Sequence, residues 1–184
     1  NYRVGMMILP YHQIESMNLV RPLHTPHLQP ASVDLTLGAQ AARITYNHPA
    51  QDLLVVGRDT PSYTYSTHSE QKQVILRPDQ LILCQTAETL HLPNNVAGRF
   101  EGKSSLGRIG LMTHIAAGFI DPGFHGVLTL EVYNCGPLTL VLTPGIRIGQ
   151  VAFYLLNALP TRTYGSEGLG SHYQNADTVQ GARF

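Results

Sequence analysis

Two groups of residues with chemical reach share one short stretch of this chain, from Ala97 to Glu131. The first is the loop Gly102-Lys103-Ser104-Ser105-Leu106-Gly107-Arg108. Its glycines let backbone approach an anion, its two hydroxyls donate to one, and Lys103 and Arg108 neutralise it. Such a loop suits a phosphate. The second group is a pair of carboxylates. Asp121 opens the turn Asp121-Pro122-Gly123, where proline presets φ and glycine permits a positive one. Glu131 stands in Val127-Leu128-Thr129-Leu130-Glu131-Val132-Tyr133, whose composition predicts a strand. Period-two alternation sends Leu128, Leu130 and Val132 to one face and Val127, Thr129, Glu131 and Tyr133 to the other. A carboxylate embedded there is expected to be poorly hydrated, the condition a general base or proton shuttle needs. Plainer readings exist for each group. The loop has the composition of a solvated turn, Asp121 can cap a turn, and Glu131 can be half of a structural ion pair with Arg108.

Positioning these groups is work for strands. Ala31 to Leu37 alternates Val33, Leu35 and Leu37 against Asp34 and Thr36, as a half-buried strand does. Thr60 to Thr67 suits a surface hairpin, and Val74 to Thr86 holds two strand-like segments around Pro78-Asp79-Gln80. Leu138 to Leu142 and Ile146 to Leu156 complete the set, while His12 to Val20 is the one helical candidate. Short apolar stretches broken by Pro, Gly and Asn every ten or so residues predict an all-β barrel or sandwich. A single domain is expected over 1–184, with 1–6 as an extension or an added remnant. From Tyr164 onward three glycines within ten residues leave few anchors, which reads as a flexible tail, 164–184, able to close over a ligand.

Composition excludes several classes. Twelve basic against twelve acidic residues give a formal net charge of zero, so the electrostatic footprint for a nucleic-acid polymer is missing. No apolar run approaches the roughly 20 residues of a membrane span, and a cytoplasmic location is expected. Cys84 and Cys135, the only cysteines, are both expected as buried free thiols. They cannot supply the Pro-Cys-x-x-Cys pair that zinc-dependent nucleobase deaminases need, so no zinc is expected. His24 and His27 lack a nearby third ligand and read as loop histidines.

The run GRFEGKSSLGRIGL, the turn AGFIDPGFHG, the strand with Glu131, and Pro144-Gly145-Ile146-Arg147-Ile148-Gly149-Gln150 together resemble the dCTP deaminase family of the dUTPase-like superfamily. The likeness runs from Met7 to Gly165. It implies a distorted jelly-roll fold with one or two short helices, a homotrimer with active sites between subunits, and Mg²⁺ accompanying the nucleotide phosphates. It also implies roles. Glu131 becomes the catalytic base, with Ser104, Arg108 and the Ala117 carbonyl as partners that orient the water. Lys103, Ser104, Ser105 and Arg108 grip the phosphates, Asp121 meets the sugar hydroxyl, Tyr164 and the tail close the site, and Gln150 and His172 contact substrate. The implied reaction is hydrolytic deamination of a cytosine deoxynucleotide, dCTP first, to dUTP or to dUMP and pyrophosphate. The sequence Ala117-Gly118-Phe119-Ile120-Asp121 leans to the dUMP-forming type.

Three positions depart from the family pattern: Ala116 replaces a threonine, His172 a lysine and Ala176 a glutamine. These changes keep three other outcomes open. One is an altered substrate, such as a monophosphate or a C5-substituted cytosine nucleotide. The others are a plain dUTPase-like pyrophosphatase, and a nucleotide-binding regulator without turnover.

Overall fold

The computed structural model describes residues 7–45, 54–59, 61–68 and 72–184. Its elements are β1 (Met7–Ile8), α1 (Tyr11–Ser16), β2 (Val20–Arg21), a 3-10 turn (Thr25–His27), β3 (Leu28–Gln29), β4 (Ser32–Thr45), β5 (Ser62–Thr67), β6 (Val74–Leu76) and β7 (Leu81–His91). They continue as β8 (Val96–Gly102), α2 (Ser104–Gly107), β9 (Leu111–Met112), β10 (Phe119–Ile120), β11 (His125–Asn134), β12 (Leu140–Leu142) and β13 (Arg147–Leu155). Residues 1–6, read above as an extension, lie outside the described residues, as does Thr60 of the expected hairpin.

Strand β4 organises the rest because its two halves pair with different neighbours. Its first half lies against β13, with Asp34 opposite Gln150 and Val33 opposite Val151. Its second half lies against β7 and β5, with Ala41 opposite Cys84 and Arg43 opposite Thr64. The register slips between Leu37 and Ala41, and Gly38 occupies the slip. A Cβ at Gly38 would sit 2.9 Å from the Gln85 side chain and 3.0 Å from the Thr86 carbonyl, so only glycine fits the approach. The sheet order is β10-β8-β13-β4-β7-β11-β9, with β1 on β13, β2 on β7, and β3 and β5 on β4. The result is a mostly β fold with two short helices and a sheet that curls around its own core, as expected.

That core holds Leu35, Ile82, Leu90, Leu130, Ile148 and Phe153, each at most 2% exposed. Burying one such side chain contributes roughly 1.5–3 kcal/mol. The ribbon of β6 and β12 is fastened to the main sheet by fully buried Asn134. Its Nδ2 donates to the carbonyls of Leu76 (3.0 Å) and Leu138 (2.8 Å), and its Oδ1 accepts from the Gly136 amide (3.0 Å).

Three expectations are corrected. The helix is shorter than His12–Val20, because Asn18 turns the chain at φ +52 and sends Leu19 and Val20 into the core. The start of β4 is buried on both faces rather than one: Asp34 is 1% and Thr36 7% exposed. Thr36 survives there because its amide and hydroxyl donate to the buried Glu88 carboxylate at 2.8 and 2.7 Å. Finally, only Cys84 is buried, and burial pushes its thiol up to about 12. Cys135 is exposed, because β11 ends at Asn134 and the next residue enters a turn, where its thiol donates to the Gly110 carbonyl.

Candidate functional site

Strand β11 forms the floor of a cavity of about 480 Å³. Val127, Thr129 and Glu131 line it, as the alternation requires. Leu128 lines it too, because the register of β11 on β7 slips between Val127 and Thr129 and opens the pleat there. The turn after β10 adds Asp121 and Phe124, the loop before it adds Ala117, and the chain beyond β13 adds Tyr164 and Tyr173. Ile44 of β4 and Tyr63 of β5 complete one wall. The surroundings are mainly apolar, with two carboxylates and a few hydroxyls set into them.

Glu131 is half-buried, and its Oε2 accepts a hydrogen bond from the Ile115 amide at 3.2 Å. Among the described residues no ion pair joins it to Arg108 or to any other cation. The carboxyl group is thus placed by the loop ahead of β10 and left free to exchange a proton with a molecule in the cavity. Asp121 is exposed at the rim. The turn behind it is closed by its carbonyl, which accepts from the Phe124 amide at 3.2 Å. Tyr164 docks on the same turn through its amide, which donates to the Pro122 carbonyl (2.8 Å), and through its ring, edge-on to Phe124 at 5.5 Å.

The chain beyond Tyr164 is anchored more firmly than its glycine content suggests. Gln174 bridges the turn and β11, donating to the Gly123 carbonyl (2.8 Å) and accepting from the His125 amide (3.0 Å). The Val127 amide donates to the Ala176 carbonyl (2.9 Å), the Gln180 amide to the Thr129 hydroxyl (3.0 Å), and the Ala182 amide to the Tyr63 hydroxyl (3.1 Å). Ala176 and Val179 are buried at 8% and 2% exposure. This segment roofs the cavity that Glu131 floors.

The structure therefore brings together Glu131, Ala117, Asp121 and Tyr164. It does not bring the anion loop to them. Ser104, Ser105 and Arg108 are exposed and outside the cavity lining, which among the described residues contains no cationic side chain. Lys103 pairs instead with buried Asp34, its Nζ donating to Oδ1 at 2.6 Å. Gln150 lies beside that pair, opposite Asp34 in register, and accepts from the Ser32 hydroxyl at 3.1 Å. His172 is exposed, its ring edge-on to Tyr173 and its carbonyl bound by Arg183.

Sequence reasoning missed Tyr63, Phe124 and Thr129 as lining residues. Thr129 was within reach, since it shares the alternation face of Glu131. Tyr63 had no signal, because its strand reaches the cavity only through long-range pairing with β4.

The family model described as dCTP deaminase-like matches residues 8–156. A protein of Thermobifida fusca named dCTP deaminase, dUMP-forming is 44% identical over 165 residues, covering 88% of this chain and 82% of that protein. A protein of Beutenbergia cavernae with the same name is 43% identical over 154 residues, covering 83% and 79%. Among solved structures, the 2′-deoxycytidine 5′-triphosphate deaminase of Agrobacterium tumefaciens matches with a TM-score of 0.65 at 24% identity. That match, a likeness of fold, covers 84% of this chain, which spans half the length of that protein. With a family model spanning most of its length and relatives above 40% identity, this chain belongs to the dCTP deaminase-like family.

Proposed function

We propose that this chain hydrolyses the exocyclic amine of a deoxycytidine nucleotide, dCTP first, and carries the product on to dUMP and pyrophosphate. The observation that supports this reading best is Glu131, a carboxylate without an ion-pair partner among the described residues, half-buried at the floor of a mainly apolar cavity that also holds Asp121. Glu131 takes a proton from a water whose oxygen bonds to C4 of the cytosine ring. The tetrahedral centre collapses as protons are delivered to N3 and to the amine, ammonia leaves, and a uracil ring remains. Asp121 holds the sugar end and orients the second water, which attacks the α-phosphorus and expels pyrophosphate. Mg²⁺ enters as the counter-ion of the substrate's phosphates, and the chemistry proposed for Glu131 asks for no zinc.

Phosphates need cations, and the cavity lining supplies none among the described residues. The loop with Lys103, Ser104, Ser105 and Arg108 would meet the nucleotide from a neighbouring copy. This favours a homotrimer with sites between subunits, and a trimer also suits the resemblance. The departures at His172 and Ala176 fall on the segment that roofs the cavity, and Ala176 lines it. No described helix is long and apolar enough to cross a membrane, and we place the activity in the cytoplasm with the nucleotide pool.

Purified protein incubated with dCTP, dCMP, 5-methyl-dCTP or dUTP and Mg²⁺ tests the reading through ammonia release and chromatography of the nucleotides. The expected result is dUMP, pyrophosphate and ammonia from dCTP. Hydrolysis of dUTP with no ammonia from any cytosine nucleotide identifies a pyrophosphatase, and no product from any of the four identifies a binding regulator. Asp121→Asn should slow pyrophosphate release more than ammonia release. Equal losses would limit Asp121 to holding the sugar.

A further inference from the structure

Asp34 is among the most deeply buried charged side chains described, at 1% exposure, and the reaction outlined above gives it no task. Three donors from three separate elements converge on it. Lys103 Nζ, from the residue that precedes α2, donates to Oδ1 at 2.6 Å. Arg147 Nη1, at the start of β13, donates to Oδ2 at 3.3 Å, and Gln29 Nε2 of β3 donates to the same oxygen at 3.4 Å. Arg147 is itself tied down, its Nη2 donating to the Pro26 carbonyl at 3.1 Å. Lys103 is tied through its backbone, since its carbonyl accepts from the amides of Leu106 and Gly107 at 3.0 Å each. One carboxylate is thus shared by two cations, and the cluster keeps an excess positive charge. An ammonium has three donors, and Asp34 takes one of them.

We infer that Asp34 is a positioning residue for the phosphate-binding half of the site: it holds the Lys103 ammonium in one place so that the remaining N–H donors meet a phosphate without first being ordered. Lysine is a flexible cation whose side chain loses much rotamer freedom when it binds an anion. Holding it beforehand removes that cost from nucleotide binding. The buried anion also favours keeping Lys103 beside it, since a buried carboxylate without a cation is strongly disfavoured. The inference rests on the function proposed above only for the identity of the anion.

Pyrophosphate binding by calorimetry is the test, because it needs no turnover. Asp34→Asn keeps the shape and removes the charge. Asp34→Glu keeps the charge and shifts it by one methylene, and it carries the same test should the asparagine variant not fold. The expected result is a pyrophosphate Kd raised about tenfold in Asp34→Asn and several-fold in Asp34→Glu. With dCTP, KM should rise by the same factor and kcat should stay within about twofold. In a Lys103→Ala background, either change at Asp34 should have no further effect on the Kd. An unchanged Kd in a folded Asp34 variant, or losses that simply add to that of Lys103→Ala, overturns the assignment. Wild-type protein that binds pyrophosphate yet releases no ammonia from any cytosine nucleotide would remove the deaminase reading and leave the role of Asp34 standing.

Discussion

The carboxylate of Glu131 accepts a hydrogen bond from the Ile115 amide at 3.2 Å, which ties the reacting group to the loop that also brings Ala117 to the cavity. One oxygen is placed by that bond and the other is left for a water. Glu131→Gln keeps the shape and the contact with Ile115 but cannot take a proton. Ammonia release should fall by about 10²–10⁴-fold, while nucleotide binding measured by calorimetry stays within a fewfold. Turnover at the wild-type rate would remove Glu131 from the chemistry.

Gly126 is the seat on which the C-terminal segment rests. Its φ is +138, and a Cβ would lie 2.7 Å from the Ala176 carbonyl oxygen. Gly126→Ala should lift the segment off β11 without emptying the core. Limited proteolysis should cut the segment faster, and KM for dCTP should rise at least several-fold. A variant as resistant to protease as the wild type would show that the segment stays seated.

Folding stability should depend on His91. Burial lowers its pKa, and the positive charges of Arg21 and His125 lower it further. The hydrogen bonds agree with a neutral ring. Thr89 donates its hydroxyl proton to the Arg21 carbonyl, so Thr89 Oγ1 accepts from His91 Nε2 at 3.0 Å, leaving Nδ1 as the acceptor that faces His125 Nδ1 at 3.4 Å. The unfolded chain takes up a proton near pH 6.5 and the folded chain only at lower pH. Stability from this residue is therefore present above about pH 6.5 and lost as pH falls toward the depressed folded value. Urea midpoints at pH 7.5 and 5.5 should differ less in His91→Gln than in the wild type. Equal slopes would assign the acid sensitivity to other groups.

The two cysteines should separate by reactivity. Cys84 is buried with its thiol pushed up to about 12, and Cys135 is exposed. The thiolate is the reacting form. A thiol reagent at pH 8 should label one cysteine in the native protein and two in denaturant, with mass spectrometry placing the first label on Cys135. Native labelling of Cys84 would show that the β4–β7 pairing opens readily.

How much of this was legible follows from the range over which each feature is encoded. Glu131, Asp121 and the alternation around them lie within a dozen residues, so a local pattern sufficed to place both on one cavity. Asp34 looked like the polar side of a half-buried strand, because the cations that permit its burial come from Lys103 and Arg147, far along the chain. Cys135 was misplaced by a single residue, since apolar composition does not say that β11 stops at Asn134. The C-terminal segment read as loose because glycine content was visible, whereas the burial of Ala176 and Val179 depends on β11, β5 and β4 being already assembled.

The wall of the cavity bears Asp121 and Glu131 and, among the described residues, no countercharge. For a nucleotide bearing four negative charges, this wall by itself offers no attraction. In the assembly proposed above, a second copy reverses that sign at the same moment as it supplies the grip. On that proposal catalysis would belong to the contact between copies, and diluting the enzyme would extinguish it before any fold is lost.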